Sequence, residues 1–167
     1  MREWNSNEDV GVLFDESREH RLKLKCTWDD TLPECLYIML NPSTADNDRC
    51  DVTLGRCISL AKSNGFGSIK VVNLYPFRTP KPKLLWQATI KSYVENIVTV
   101  TKSMENAGTI IVAWGGQVKK KSDFSWVLDH ARKDGKTVYC LGENKSRTPK
   151  HPFVERGKKL EKFLYRG

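Results

Sequence analysis

The stretch Cys35-Leu36-Tyr37-Ile38-Met39-Leu40-Asn41-Pro42-Ser43-Thr44-Ala45-Asp46 decides how the chain folds. An apolar run of strand length stops abruptly at Asn-Pro and gives way to small and polar residues. Proline donates nothing to a sheet ladder, and Asn-Pro marks a turn. The run therefore reads as a buried strand that delivers Asn41 to a loop at its carboxyl end. A single junction of this kind is an ordinary turn; this one gains meaning because the chain repeats it.

Three more apolar runs end alike. Residues 69–74 lead into Asn73-Leu74-Tyr75, residues 109–114 into Trp114-Gly115-Gly116, and residues 137–141 into Gly142. Between the runs lie stretches with apolar residues at helical spacing. These are 52–63 (Leu54, Ile58, Ala61) behind Asp51 as N-cap, 86–104 (Ile90, Val94, Ile97, Thr101, Met104) and 122–132 (Phe124, Val127, Leu128, Ala131). A last basic helix is expected over 155–164. The alternation predicts an α/β fold, a three-layer α/β/α sandwich around a mainly parallel four-stranded central sheet. Residues 10–14 and 21–28 add an N-terminal β-hairpin, in which Leu22, Leu24, Cys26 and Trp28 alternate with Lys23, Lys25 and Thr27. That hairpin reads as scaffold. With no linker, repeat or low-complexity tract, one domain over 1–167 is expected.

Bulk properties exclude several classes. Hydrophobic content of 39% and charged content of 29% are globular values. No apolar run approaches the roughly 20 residues needed to cross a bilayer, and the first residues lack a signal-peptide core. A soluble cytoplasmic monomer is the expectation. The five cysteines are odd in number and never spaced C-x-x-C, which points to free thiols rather than a disulfide framework or zinc site. The net charge of +8 gathers toward the carboxyl end, in Lys145, Arg147, Lys150, Arg156, Lys158, Lys159, Lys162 and Arg166, and in Lys119-Lys120-Lys121. Both clusters follow expected strand ends, where a polyanion such as nucleic acid would bind. Arg78, Lys119, Lys120, Lys145, Arg147, Lys150 and Arg156 are the candidate contacts.

In parallel sheets, ligands bind beyond the carboxyl ends of the strands. Asn41 and Asn73 stand at two such ends. An asparagine there can hold a water through its oxygen or read a base edge through its amide; capping a turn is the plain alternative. His151, between Lys150 and Pro152, can donate to developing negative charge. Asp46, Asp48 and Asp51 offer a base or a partner for a cationic transition state, with helix capping the plainer role of Asp51. Tyr75, Phe77 and Trp114 present aromatic faces at the same rim beside Arg78, although Trp114 suits core packing equally.

These motifs carry two resemblances. Residues Ile38 to Asp46, with Asp51-Val52-Thr53, Val72-Asn73-Leu74, Ala113-Trp114-Gly115 and Lys150-His151-Pro152, resemble a family of small bacterial and phage proteins defined only as a domain of unknown function. The order of motifs is also similar to the uracil-DNA glycosylase superfamily. There the first strand ends in Gly-x-Asp-Pro or Gly-x-Asn-Pro, the second in a base-reading Asn, and a late His-Pro-Ser loop serves the departing base. Met39 stands in place of that glycine and Phe153 in place of that serine. The resemblance implies that Asn41 holds the water, Asn73 reads the base and His151 stabilises the leaving group, while Asp51 or Asp46 supports the sugar cation. It implies a DNA partner, base flipping, and no metal or other cofactor.

In that superfamily a bulky aromatic after the Asp-Pro pair excludes groups at the base's 5-position. Ser43, Thr44 and Ala45 are small, so a 5-substituted or hypermodified pyrimidine, as in phage DNA, becomes the expected substrate and antiviral defence an expected setting. Two other readings stay open: a Mg²⁺-dependent nucleotide-processing enzyme using Asp46, Asp48 and Asp51, and a non-catalytic nucleic-acid-binding module.

Overall fold

The opening apolar run forms a strand at the centre of a seven-stranded mixed sheet. The structure is a computed structural model that describes residues 1–81, 84–85, 90–118 and 120–165. Along the chain the strands are β1 (Arg2–Glu3), β2 (Asp9–Phe14), β3 (Arg21–Thr27), β4 (Glu34–Met39), β5 (Arg49–Cys50), β6 (Ser68–Asn73), β7 (Ile110–Val112), β8 (Val138–Cys140) and β9 (Glu161–Lys162). The helices are α1 (Val52–Ser63), α2 (Ile90–Glu105) and α3 (Ser125–Lys133). The main sheet runs β2-β3-β6-β4-β7-β8-β9, and β1 pairs with β5 apart from it.

Strands β6, β4, β7 and β8 are mutually parallel, so the sequence located the parallel core. It did not foresee the full width. The β2–β3 hairpin continues the sheet, antiparallel, with β3 paired to β6, and β9 adds another antiparallel strand beside β8. The basic helix expected over 155–164 is absent. Gly157 takes a left-handed φ of 73° that interrupts a helix. Beyond it Phe163 is buried, its N–H donating to the Val138 carbonyl at 2.8 Å. Pairing along β8 stabilises this segment more than helical propensity does.

Alternation along the strands divides the core. Leu36, Ile38, Val72, Ile110 and Val112 face α2 and α3, packing with Val100, Met104, Val127 and Ala131. Cys35, Tyr37, Met39, Ile69, Val71 and Ile111 face α1, packing with Leu54, Cys57, Ile58 and Ala61. Helices thus cover both faces, as parallel strands require. The five cysteines are free and buried, and no described helix is long and apolar enough to cross a membrane.

The buried stripe of α2 is not the expected apolar one. Val94 is exposed, while Ser92, Asn96, Val100, Ser103 and Met104 face inward. The polar members have work to do: Asn96 Nδ2 donates to the carbonyls of Asn73 (2.9 Å) and Leu74 (3.3 Å), and Ser92 Oγ donates to Asp15 at 3.0 Å. The expected start of this helix near Trp86 lies outside the described residues.

Candidate active site

A cavity of about 370 Å³ opens beyond the carboxyl ends of β4, β6 and β7, on the α1 face of the sheet. Asn41, Ser43, Asp51, Asn73, Trp114 and His151 line it. The Asn-Pro turn is stitched to the loop after β6: Asn41 Nδ2 donates to the carbonyls of Thr79 (2.7 Å) and Pro42 (3.0 Å), and Thr79 N–H donates to Pro42 at 3.0 Å. With its amide nitrogen committed, Asn41 keeps its oxygen as an acceptor, the orientation that holds a water.

Asn73 is the anomaly of the site. It is 1% exposed, it lines the cavity, and neither Oδ1 nor Nδ2 has a hydrogen-bond partner among the described residues. Buried polar groups are nearly always paired, because each one left bare costs about 1–3 kcal/mol. Asn96 holds the backbone behind it, so the side chain is presented by a fixed strand end.

The loop that carries His151 into the site packs against Gly115. Gly115 has φ 79°, and a Cβ on it would lie 3.4 Å from the His151 Cβ. The imidazole is half-buried, with neither ring nitrogen hydrogen-bonded among the described residues, and it stacks on Phe153 (centroids 5.1 Å, planes 13° apart). Burial lowers the His151 pKa below the usual imidazole value; the Asp51 charge partly opposes that shift. The ring is therefore neutral at neutral pH, with one nitrogen free to donate.

Asp51 has both of its expected roles open. Its Oδ1 accepts from Leu54 N–H at 2.8 Å, capping α1, and its Oδ2 accepts from Ala45 N–H at 3.4 Å. Asp46 is turned elsewhere: Oδ1 accepts from the N–H groups of Asp48 (3.1 Å) and Arg49 (3.0 Å), closing its own loop, and Asp46 does not line the cavity. Among the described residues no group of three or more His, Cys, Asp or Glu gathers as a metal site.

The other aromatic candidates divide. Trp114 is 1% exposed and packed against Phe124 and Phe163, so it forms part of the cavity wall from within the core. Tyr75 packs in the core with the α2 and α3 side chains, away from the cavity. The exposed aromatic at the mouth is Phe153, 56% exposed, with the Arg56 guanidinium 5.9 Å from its ring. Thr44 and Ser43 border a second depression with Arg18, Glu19, Phe77, Arg78 and Pro80; Ser43 and Pro80 belong to both cavities.

None of the described basic candidates lines the cavity. Lys145 and Arg147 sit exposed at the tip of a tight loop closed by Asn144 and Thr148. Lys150 is exposed beside His151, and Lys120 and Arg156 are exposed as well. Lys119 lies outside the described residues. Arg78 is mostly engaged with the protein, its guanidinium lying over the Phe14 ring and bonding the Arg18 and Thr44 carbonyls.

A family model described as "Protein of unknown function (DUF1643)" matches residues 21–153. The chain belongs to this family. The DUF1643 segment begins at Arg21 and ends at Phe153, and these are also the first and last residues lining the cavity. No curated protein and no solved structure matched the chain. Within the DUF1643 domain, sequence reasoning missed Arg21 and Thr79. Arg21 was assigned to the scaffold hairpin, yet β3 runs antiparallel to β6. Its amino end therefore lies at the rim where the parallel strands finish. Only the pairing partner of the hairpin reveals this.

Proposed function

We propose that this DUF1643 protein is a monofunctional DNA glycosylase of uracil-DNA-glycosylase-like architecture. It excises a 5-substituted pyrimidine and leaves an abasic site. The carrying observation is Asn73: a buried donor–acceptor pair, unpartnered among the described residues, at a strand end lining a cavity of about 370 Å³ that has room for a nucleobase. An amide of this kind complements the donor–acceptor edge of a base taken out of the stack. Motif order shared with the uracil-DNA glycosylase superfamily supports the same reading.

The chemistry assigns a task to each neighbour. Asn41 Oδ1 accepts a hydrogen bond from a water and directs its oxygen at the sugar C1′. As the N-glycosidic bond breaks, its electron pair stays on the base, and His151 donates to the oxygen of the departing anion. The oxocarbenium-like sugar lies near the Asp51 carboxylate, which takes the proton released as water bonds to C1′. The base anion then takes a proton from solvent. No metal or cofactor enters, and the protein works as a cytoplasmic monomer. The exposed Lys145, Arg147 and Lys150 hold DNA phosphates while Phe153 offers a stacking face.

The second depression beyond Ser43 supports a 5-substituted base, since a group at that position has somewhere to go. Phage DNA carrying such bases makes antiviral defence the corresponding role. The test uses oligonucleotides bearing uracil, 5-hydroxymethylcytosine or its glucosylated form, in chelator. Alkali-labile breaks at the 5-substituted bases are expected, with loss in Asn41→Ala and His151→Ala. Breaks at plain uracil alone would sink the open-pocket assignment, and full activity of both variants would sink the site.

A further inference from the structure

Arg21 is 2% exposed and lines the cavity at the start of β3. Its backbone N–H donates to the Pro76 carbonyl at 3.0 Å, anchoring it to the loop after β6. Of the guanidinium's five N–H donors, Nη1 is used on the Ala45 carbonyl at 3.0 Å, and Nε is buried without a partner. No carboxylate forms an ion pair with it among the described residues. Asp51 and Asp46 attract it through space, while Arg78 repels it. Burial pulls its pKa down to about 10, which leaves it charged at neutral pH. A buried cation with no carboxylate in contact is costly, and bracing one carbonyl requires no full charge. Arg21 shares the lining of this cavity with Asn73 and His151.

We infer that Arg21 is an anion-binding residue of this cavity and that it takes up the negative charge left on the departing base. The inference rests on the glycosylase reading for the reaction, but the anion site itself does not. When the glycosidic bond breaks, its electron pair moves onto the base. A fixed positive charge, already desolvated, stabilises that anion without reorganising. His151, being neutral, supplies a directional hydrogen bond; Arg21 supplies the charge.

The signature is a dependence on leaving-group acidity. Single-turnover base release is measured for wild type, Arg21→Gln and Arg21→Lys on oligonucleotides bearing uracil, 5-hydroxymethyluracil and 5-fluorouracil, which leave with increasing or differing ease. Arg21→Gln keeps a donor for Ala45 and loses the charge, and thermal melting checks that it folds. Its loss should be on the order of 100-fold for uracil and at least several-fold smaller for 5-fluorouracil, the more acidic leaving group, with Arg21→Lys intermediate. An equal loss across the series marks a brace and overturns the inference.

A second arm separates the two readings. Free uracil and 5-fluorouracil are titrated into wild type and Arg21→Gln across neutral to alkaline pH. Tighter binding of the ionised base by wild type, abolished in Arg21→Gln, upholds the anion site even if no oligonucleotide releases its base and the glycosylase reading falls. Identical binding by the two proteins at every pH overturns it.

Discussion

Asn73 sets a stability cost against a function. Its amide is buried and unpaired, so an apolar residue of similar shape removes the unsatisfied groups. Asn73→Leu should raise the melting temperature by roughly 2–12 °C, from about 1–3 kcal/mol for a bare polar group and about 2–4 °C per kcal/mol at this chain length. The same change should abolish base release, and a lower melting temperature would show that Asn73 is structural. His151 makes a pH prediction. Its pKa is lowered by burial, so the neutral ring, and the stability that goes with burying it neutral, is fully present above the ordinary imidazole value of 6.5. Both are lost as pH falls through the lowered value. The acid limb of kcat/KM should therefore lie below 6.5 and vanish from the residual activity of His151→Asn. A limb above 6.5 contradicts a neutral donor.

At the scale of elements, the site depends on strand ends meeting closely. Gly115 follows β7 with a left-handed φ of 79° that favours glycine, and it packs against the His151 loop. Gly115→Ala should cost about 1–2 kcal/mol in backbone strain and should displace His151, reducing base release far more than a surface change of equal destabilisation. Thermal melting and single-turnover rates on the same sample check this. Element identity was largely legible: α1 has the expected bounds, and β4, β6, β7 and β8 follow from apolar runs ended by Asn-Pro, Asn or glycine. What was not legible depended on partners distant in sequence. In the buried polar stripe of α2, Asn96 meets the Asn73 and Leu74 carbonyls and Ser92 meets Asp15, and β9 pairs along the edge that β8 offers. Helical periodicity cannot report either. Asn41, Asn73, Asp51 and His151 line one cavity because each closes or follows a strand of the parallel set. Asp46 and Tyr75 do not line it, because adjacency to a strand end does not say which way a side chain turns.

At the scale of the whole molecule, the net charge of +8 and the exposed Lys145, Arg147 and Lys150 predict salt-dependent DNA binding. The logarithm of affinity should fall linearly with the logarithm of salt concentration, and Lys145→Ala or Arg147→Ala should each reduce that slope by about 1 while leaving base preference unchanged. A slope near zero would remove the phosphate-binding role. The sheet order explains why a hairpin read as scaffold contributes to the site: β3 is the antiparallel neighbour of β6, so Arg21 and Asn73 come to one rim from opposite directions along the chain. The central claim concerns a broken bond. The most direct measurement is mass spectrometry of the small-molecule fraction after incubating the protein, in chelator, with DNA containing 5-hydroxymethylcytosine or its glucosylated form. The account predicts one free modified base for every abasic site formed. Intact DNA, or release of a nucleotide in place of a base, would contradict it.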